Sequence, residues 1–299
     1  MDYIEIHREV PSNLTTMVMA FGGWINAGEA ATGAMRHLVR HFSAPRLATI
    51  DPETFFIFTQ ERPDVRMTEE GNRTIRWPRS EFYVWQPPGS QPGILLFRGM
   101  EPNQMWRTYS NTFLDLAEQC GVKRIVSIGA LLAGSPHTRP TRVTGRSTDP
   151  EWQSLLEDWG IYSRSRPNYQ GPTGISTVLL DAAARRGMSS LSFMGQAPHY
   201  LQGTSNPSVI QALLTYLNRL LDLGLDLSLL DAAVAAFRTK CDQLVAGDPT
   251  TQAHVQQLEQ EYDSELDEEP KPLREEELNA DQLMQDLENF LREERGGED

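Results

Sequence analysis

The sequence predicts an α/β fold: three α/β/α layers built on a mostly parallel sheet, with a C-terminal helical appendage. Three observations carry this reading. Short continuous apolar runs alternate with helical stretches from residue 15 to residue 223. Loops rich in glycine and proline separate them. Past residue 226 only helical periodicity remains. Strands that are apolar throughout and alternate with helices belong to a parallel sheet covered on both faces.

The first strand is TTMVMAF (15–21), which breaks into GGWINAGEAATG. A helix follows, in which Ala27, Ala30, Ala31 and Ala34 are small enough for close packing. GILLFRG (93–99) is the next such strand. It leads into EPNQMWRTYSNTFLDLAEQCG, where Asn103 suits a helix cap and Gly121 a helix end. Between these units, residues 60–92 interrupt the alternation. Their WPRSEFYVWQPPGSQPG reads as an antiparallel edge strand or hairpin. KRIVSIGA (123–130) is a third strand, running into GALLAGSPHTRPTRVTG (129–145). GPTGISTVLLDAAARRG (171–187) is a helix with Gly187 just past its end. LSFMGQAPHY (191–200) is strand and loop, and NPSVIQALLTYLNRLLDL (206–223) is a helix with Pro207 in its first turn.

Beyond residue 226, Ser228 and Asp231 resemble a capping box. Leu230, Val234, Phe237, Cys241 and Leu244 then form one helical stripe. Gly247 and Pro249 stop that helix, and Val255, Leu258 and Tyr262 mark a second, so the pair reads as a helical hairpin. Residues 263–277 read as a charged, proline-broken linker. NADQLMQDLENFLREE (279–294) is a last helix with Met284, Leu287 and Leu291 on one stripe. It is too short to stand alone and is expected to dock on the body or on a neighbouring subunit. The predicted division is an α/β/α domain at 1–225, a hairpin at 226–268 and an acidic linker with tail helix at 269–299.

The 299 residues carry a net charge of -14, unevenly spread. Residues 251–299 hold 17 acidic and 4 basic side chains; the rest of the chain is nearly neutral. Nucleic-acid binding needs a basic face, which this balance argues against. Arg139, Arg142 and Arg146 are expected on a solvated loop, with anion binding by that loop as the alternative. Cys120 and Cys241 stand far apart in no metal-like spacing, so buried free thiols in a reducing compartment are expected. The N-terminal segment has no signal-peptide pattern, and no apolar run approaches the ~18–20 residues of a membrane span. A cytoplasmic location without membrane contact is expected.

In an open α/β sheet, ligands sit beyond the carboxyl ends of the strands. The unusual loops, 22–28, 98–103, 130–145 and 196–206, all fall there. The candidate crevice or interface residues are Trp24, Asn26, Arg98, Glu101, His137, Arg139, Gln170 and His199. Gly23 and Gly28 have phosphate-loop spacing, but Glu29 and Ala30 stand where Lys and Ser or Thr are required. Arg98 and Glu101 would suit an anion and a hydroxyl in a phosphorolysis site; alternatively, Glu101 simply sits near a helix N-terminus. His137 and His199 each follow a proline, without the sharp-turn serine of a hydrolase triad. His37 and His41 share a helix face but lack a third ligand, so no metal is expected. No cofactor is expected either.

Taken in order, GWINAGEAATGAMRHL, RGMEPNQMWR, SIGALLAGSPHTRPTRVTG, YQGPTGIS and APHY followed by NPSVIQALL resemble the proteasome assembly chaperone two family, in its bacterial, actinobacterial-type form. The resemblance covers about residues 15–265. It implies an α/β/α domain similar to nucleoside phosphorylases, a helical appendage, self-assembly with trimers favoured, and no established catalysis. A role with proteasome α-subunits is implied. Three departures stand out. Ile25 and Asn26 occupy the middle of a loop that usually reads GWNDAG. Gln170 stands where an acid is frequent. The chain ends Arg295-Gly296-Gly297-Glu298-Asp299 rather than in a hydrophobic residue, a tyrosine and one more. An amide cannot act as a general base near neutral pH.

The expected function is therefore a non-enzymatic assembly or scaffold protein. Two alternatives use the same crevice: a phosphorylase- or hydrolase-type enzyme relying on Arg98, Glu101, His137 and Arg139, and a small-ligand sensor using Asn26 or Arg139.

Overall fold

Alternation along each central strand decides the layers. In the strand Leu14–Gly22 (β2), Met17, Met19 and Phe21 join one buried cluster, while Val18 and Ala20 join another on the opposite face. A strand buried on both sides needs helices on both sides. The computed structural model, which describes residues 3–89, 91–161, 170–201 and 203–267, shows this arrangement.

The other elements are β1 (Ile4–Ile6), α1 (Ala30–His41), β3 (Arg46–Ile50), β4 (Asp64–Met67), β5 (Arg73–Arg76), β6 (Ser80–Trp85), β7 (Gly93–Met100) and α2 (Trp106–Gln119). They are followed by β8 (Arg124–Ala133), β9 (Val143–Ser147), α3 (Pro150–Asp158), α4 (Ile175–Arg185), β10 (Ser189–Pro198), α5 (Pro207–Leu221), α6 (Asp231–Ala246) and α7 (Pro249–Asp267). The main sheet runs β1-β3-β6-β7-β2-β8-β10-β9. Its four central strands, β7, β2, β8 and β10, are parallel neighbours. The flanking pairs are antiparallel. Helices α1, α3 and α5 bury their apolar stripes on one face, and α2 and α4 on the other.

Packing is tight where the chain supplies small residues. A Cβ on Gly33 of α1 would lie 2.6 Å from Ile210 of α5, so those helices approach more closely than a larger residue permits. On the opposite face Phe97 meets Phe21, Phe82 and Phe113 at 4.9, 4.8 and 4.7 Å between ring centroids. Such pairs add about 0.5–1.5 kcal/mol each beyond the area they bury.

Several local expectations change. The segment 60–92 supplies both the β4–β5 hairpin and β6, and β6 lies inside the sheet rather than at its edge. The reason is that RLATI (46–50) and IEI (4–6), too short to stand out as strands, extend the sheet beyond it. Asn103 does not cap α2. Its side chain accepts from the Ile57 amide at 2.8 Å, and α2 starts after Met105, which adopts a left-handed conformation. The Ser228–Asp231 box does not form either: Ser228 donates to Asp226 and Asp231 accepts from Gln211. In α6 it is Val234, Cys241 and Val245 that are buried, while Leu244 is exposed. Val245 continues the line of Val234 and Cys241, whereas Leu244 lies about 100° around the helix. Helix α7 runs to Asp267, so the first residues of the expected linker are helical. The predicted helix at 279–294 lies outside the described residues. Among the described residues, no helix is long and apolar enough to cross a membrane.

Candidate functional site

The parallel register puts four loops on one rim. Gly22 is opposite Met100, Ala133 is opposite Pro198, and Asn26 bridges to Ala130. The loops that follow these strand ends carry Trp24, Asn26, Glu101, His137 and His199. They divide into two clusters.

The first cluster joins Trp24, Asn26 and Glu101. Asn26 is engaged locally: its Oδ1 accepts from the Thr32 amide at 3.0 Å and its Nδ2 donates to Thr32 Oγ1 at 3.0 Å. This amide therefore fastens the start of α1. Glu101 reaches across the rim to a different helix. Its Oε1 accepts from the Ile175 amide at 2.7 Å, satisfying one of the unpaired donors at the N-terminus of α4. Gly23, with φ at +115°, makes room for it, because a Cβ there would lie 3.0 Å from Glu101 Cβ and Oε2. Trp24 lies over Gly174 and is 57% exposed. With Leu131 and Leu132, themselves 42% and 46% exposed, it lines a groove of about 480 Å³. The two leucines stand where β8 runs past the end of its pairing with β2, so among the described residues no strand pairs with them on that side.

The second cluster answers what the proline-rich loop does. His137 is buried, and its amide N–H donates to the Tyr200 hydroxyl at 2.8 Å. The Tyr200 hydroxyl in turn lies 2.7 Å from His137 Nδ1, and His137 Nε2 lies 3.1 Å from Asp242 Oδ1. This network assigns the phenol proton toward Nδ1 and the ring proton to Nε2. Burial pushes the Tyr200 phenol up to about 12, against the lowering effect of the His137 amide. His199 Nδ1 donates to the Ala133 carbonyl at 3.1 Å, and its Nε2 meets His254 Nε2 at 3.1 Å.

Both histidines thus connect the rim to α6 and α7, and the rest of the loop does the same. Arg139 forms ion pairs with Asp263 at 2.7 Å and Glu259 at 3.3 Å. Its hydrogen bond with Asp263 holds that carboxyl below the usual range. Arg142 pairs with Glu265, donates to the Tyr262 carbonyl at 3.0 Å and stacks 3.9 Å over the Tyr262 ring. Thr138 donates to Glu259, and the Tyr262 hydroxyl donates to the Pro140 carbonyl at 3.0 Å. Arg139 and Arg142 therefore do not sit on a solvated loop. They pair with the carboxylates of α7.

Arg98 does not join Glu101. It points toward β6, where it pairs with the buried Glu81 at 3.2 Å. Successive strand residues face opposite sides of the sheet, so a residue three further on, past the strand end, is free to diverge. Gln170 is exposed, beside the undescribed residues 162–169. His37 and His41 stack at 6.1 Å, and burial, then the neighbouring ring, lowers the His37 pKa. Among the described residues, no three His, Cys, Asp or Glu side chains are placed to hold a metal ion. Cys120 and Cys241 are free and buried.

The sequence reading missed Tyr200, Asp242, His254, Glu259, Tyr262 and Asp263. A signal existed: the C-terminal region is strongly acidic, the loop 139–146 carries three arginines and no acid, and opposite charges in one fold tend to meet.

The fold and the rim can be compared with known proteins. The PAC2 family pattern matches residues 20–245. The chain belongs to the PAC2 family. A PAC2 family protein from Streptomyces avermitilis is 35% identical, with a TM-score of 0.70, over 81% of this chain and 99% of that one. A Mycobacterium tuberculosis proteasome-assembly chaperone homologue is 32% identical, with a TM-score of 0.71, over 81% and 100%. A Mycobacterium tuberculosis protein of unknown function is 26% identical, with a TM-score of 0.78, over 89% and 90%. Among curated proteins none matches the chain significantly. The PAC2 pattern thus spans the sheet from the end of β2 through β10, both helical layers and most of α6, and stops before α7, the helix that closes over the rim.

Proposed function

We propose that this PAC2 protein is a non-enzymatic, chaperone-like scaffold that works in the cytoplasm through protein contacts, as a homo-oligomer with a trimer as the favoured form. Its partners are further copies of itself and proteasome α-subunits. Family membership and 32% identity to a proteasome-assembly chaperone homologue support a chaperone-like role.

The observation that carries the reading is the exposed apolar rim. Trp24, Leu131 and Leu132 are about half exposed around one groove. Large apolar side chains grouped beside a concavity favour protein contact, and tryptophan is among the residues that dominate binding energy. The polar groups nearby are occupied in holding the fold: Asn26 fastens α1, Glu101 caps α4, and His137 ties the loop to α6. The phosphorolysis reading loses support because Arg98 and Glu101 serve different partners. In this proposal the α/β/α unit at 1–225 presents the rim, and the hairpin at 226–268 shapes it.

The test combines light scattering with co-sedimentation against proteasome α-subunits from the same cell. The wild-type chain is expected to form a trimer and to bind. The double variant Trp24→Asp, Leu132→Asp should retain its far-UV circular dichroism and lose one or both associations. A wild-type chain that stays monomeric and ignores the α-subunits refutes the proposal.

A further inference from the structure

A second concavity lies at the other edge of the sheet, on the same rim. It has a volume of about 910 Å³ and lies between the ends of β1 and β3, the start of β6 and the β4–β5 hairpin. That hairpin forms a separate two-stranded ribbon, exposed along its whole length. Isolated ribbons of this kind are marginal in water. This one carries Val65, Met67 and Ile75 at 64%, 62% and 60% exposure. Of these three, Ile75 lines the cleft, whereas Val65 and Met67 are not part of its lining.

The cleft is rich in charge, and Arg66 on its hairpin side is paired with Asp64 at 3.4 Å. Arg46, Arg66, Arg76 and Arg79 line it, facing Glu5, Asp51 and Glu81. Glu81 alone is shared by three guanidinium groups: Arg46 at 3.1 Å, Arg79 at 3.5 Å and Arg98 at 3.2 Å. Among the described residues Arg76 has no carboxylate partner. Its pKa is lowered by burial and by the neighbouring Arg79, Arg66 and Arg98, with Glu81 acting in the opposite direction. Beside these cations lie Ile75 and Trp77. A matching occupant would be acidic with an apolar stripe.

The chain holds such a segment. Residues 268–299 carry twelve carboxylates and four cations, and within them Met284, Leu287 and Leu291 recur at helical spacing. The reach is sufficient. Helix α7 ends at Asp267, two residues past Glu265, which pairs with Arg142 beside β10. From β10 to β3 is five strand spacings, roughly 24 Å at about 4.8 Å each. The eleven residues 268–278 span up to roughly 36 Å at about 3.3 Å each. We infer that residues 279–294 of the same chain dock in the arginine-lined cleft between the β4–β5 hairpin and the β1–β3 edge, against Ile75 and Trp77.

The experiment places the photo-cross-linker benzoylphenylalanine at Phe290 in the full-length chain and maps the products by mass spectrometry. The expected cross-links lie within one chain, at residues 75–79 and 3–5. Arg66→Glu, Arg76→Glu should cut their yield about tenfold, since like charges then face the acidic segment. Leu287→Asp, Leu291→Asp changes only residues beyond α7 and should have a similar effect with an unchanged melting curve. Cross-links at Trp24 and Leu131–Leu132, cross-links between chains, or a yield indifferent to both double variants would overturn the assignment.

Discussion

Leu258→Ala tests whether the rim is closed by the α6–α7 hairpin as a separable unit. Leu258 is 5% exposed, and its Cδ2 would lie 3.4 Å from a Cβ on Gly134, at the start of the proline-rich loop. Val255 and Tyr262, at 4% and 7%, complete the docked stripe of α7. Truncating a buried leucine costs about 2–5 kcal/mol. This site lies at a junction between helix and loop that can partly collapse, so about 2–3 kcal/mol is appropriate. That loss falls on hairpin opening, which becomes about 30- to 160-fold more frequent at about 1.36 kcal/mol per tenfold. Hydrogen exchange read by mass spectrometry should show the gain in peptides covering 249–267 and 134–142. Peptides from β2, β7 and β8 should be unchanged. Two results refute the reasoning: equal acceleration in the central strands, which makes the hairpin part of one cooperative core, or no acceleration at 249–267, which means the docked face is misassigned.

Three further outcomes follow from the geometry. Glu101→Ala removes the carboxylate that caps α4 and should cost about 1–2 kcal/mol in a denaturant titration, with Glu101→Gln intermediate. Gly23→Ala forces a left-handed backbone and a 3.0 Å approach to Glu101, so its melting temperature should fall at least as far as that of Glu101→Ala. For pH, His37 has its folded pKa lowered from 6.5 by burial and His41. Its neutral form favours the fold, so this contribution is complete above 6.5 and declines as pH falls below 6.5 toward the folded value. The unfolding free energy of His37→Gln, followed by urea titration from pH 7.5 to 5, should therefore depend less on pH than that of wild type; an identical slope would contradict the assignment.

Much of the architecture was legible because it depends on periodicity. The runs at 15–21, 93–99, 123–130 and 191–197 are mostly apolar because helices cover both faces of the sheet, which keeps Met17, Val18, Met19 and Ala20 all buried. The short edge strands were not legible, since three residues at 4–6 and five at 46–50 carry too little pattern. Helix α3 was also missed, although Asp149 caps it and Pro150 opens it in the same way that Asn206 and Pro207 open α5. In the site, the loops could be placed on one rim because strand ends in a parallel sheet share an edge. The side-chain pairings could not be placed. The partners of Arg139 and Arg142 are about 120 residues away in sequence, and no local rule links them. The divergence of Arg98 from Glu101 depends on where β7 ends, which spacing alone does not fix.

Because α7 supplies the carboxylates that neutralise Arg139 and Arg142, the final contour of the rim is set by a portion of polypeptide that leaves the ribosome after every strand of the sheet. Domains form as the chain emerges, N-terminal parts first. Until residues 249–267 arrive, the nascent body displays a cationic loop and an uncovered Gly134. A product terminated before Pro249 would keep that display permanently, so premature termination would yield a protein with altered surface charge as well as a shorter one.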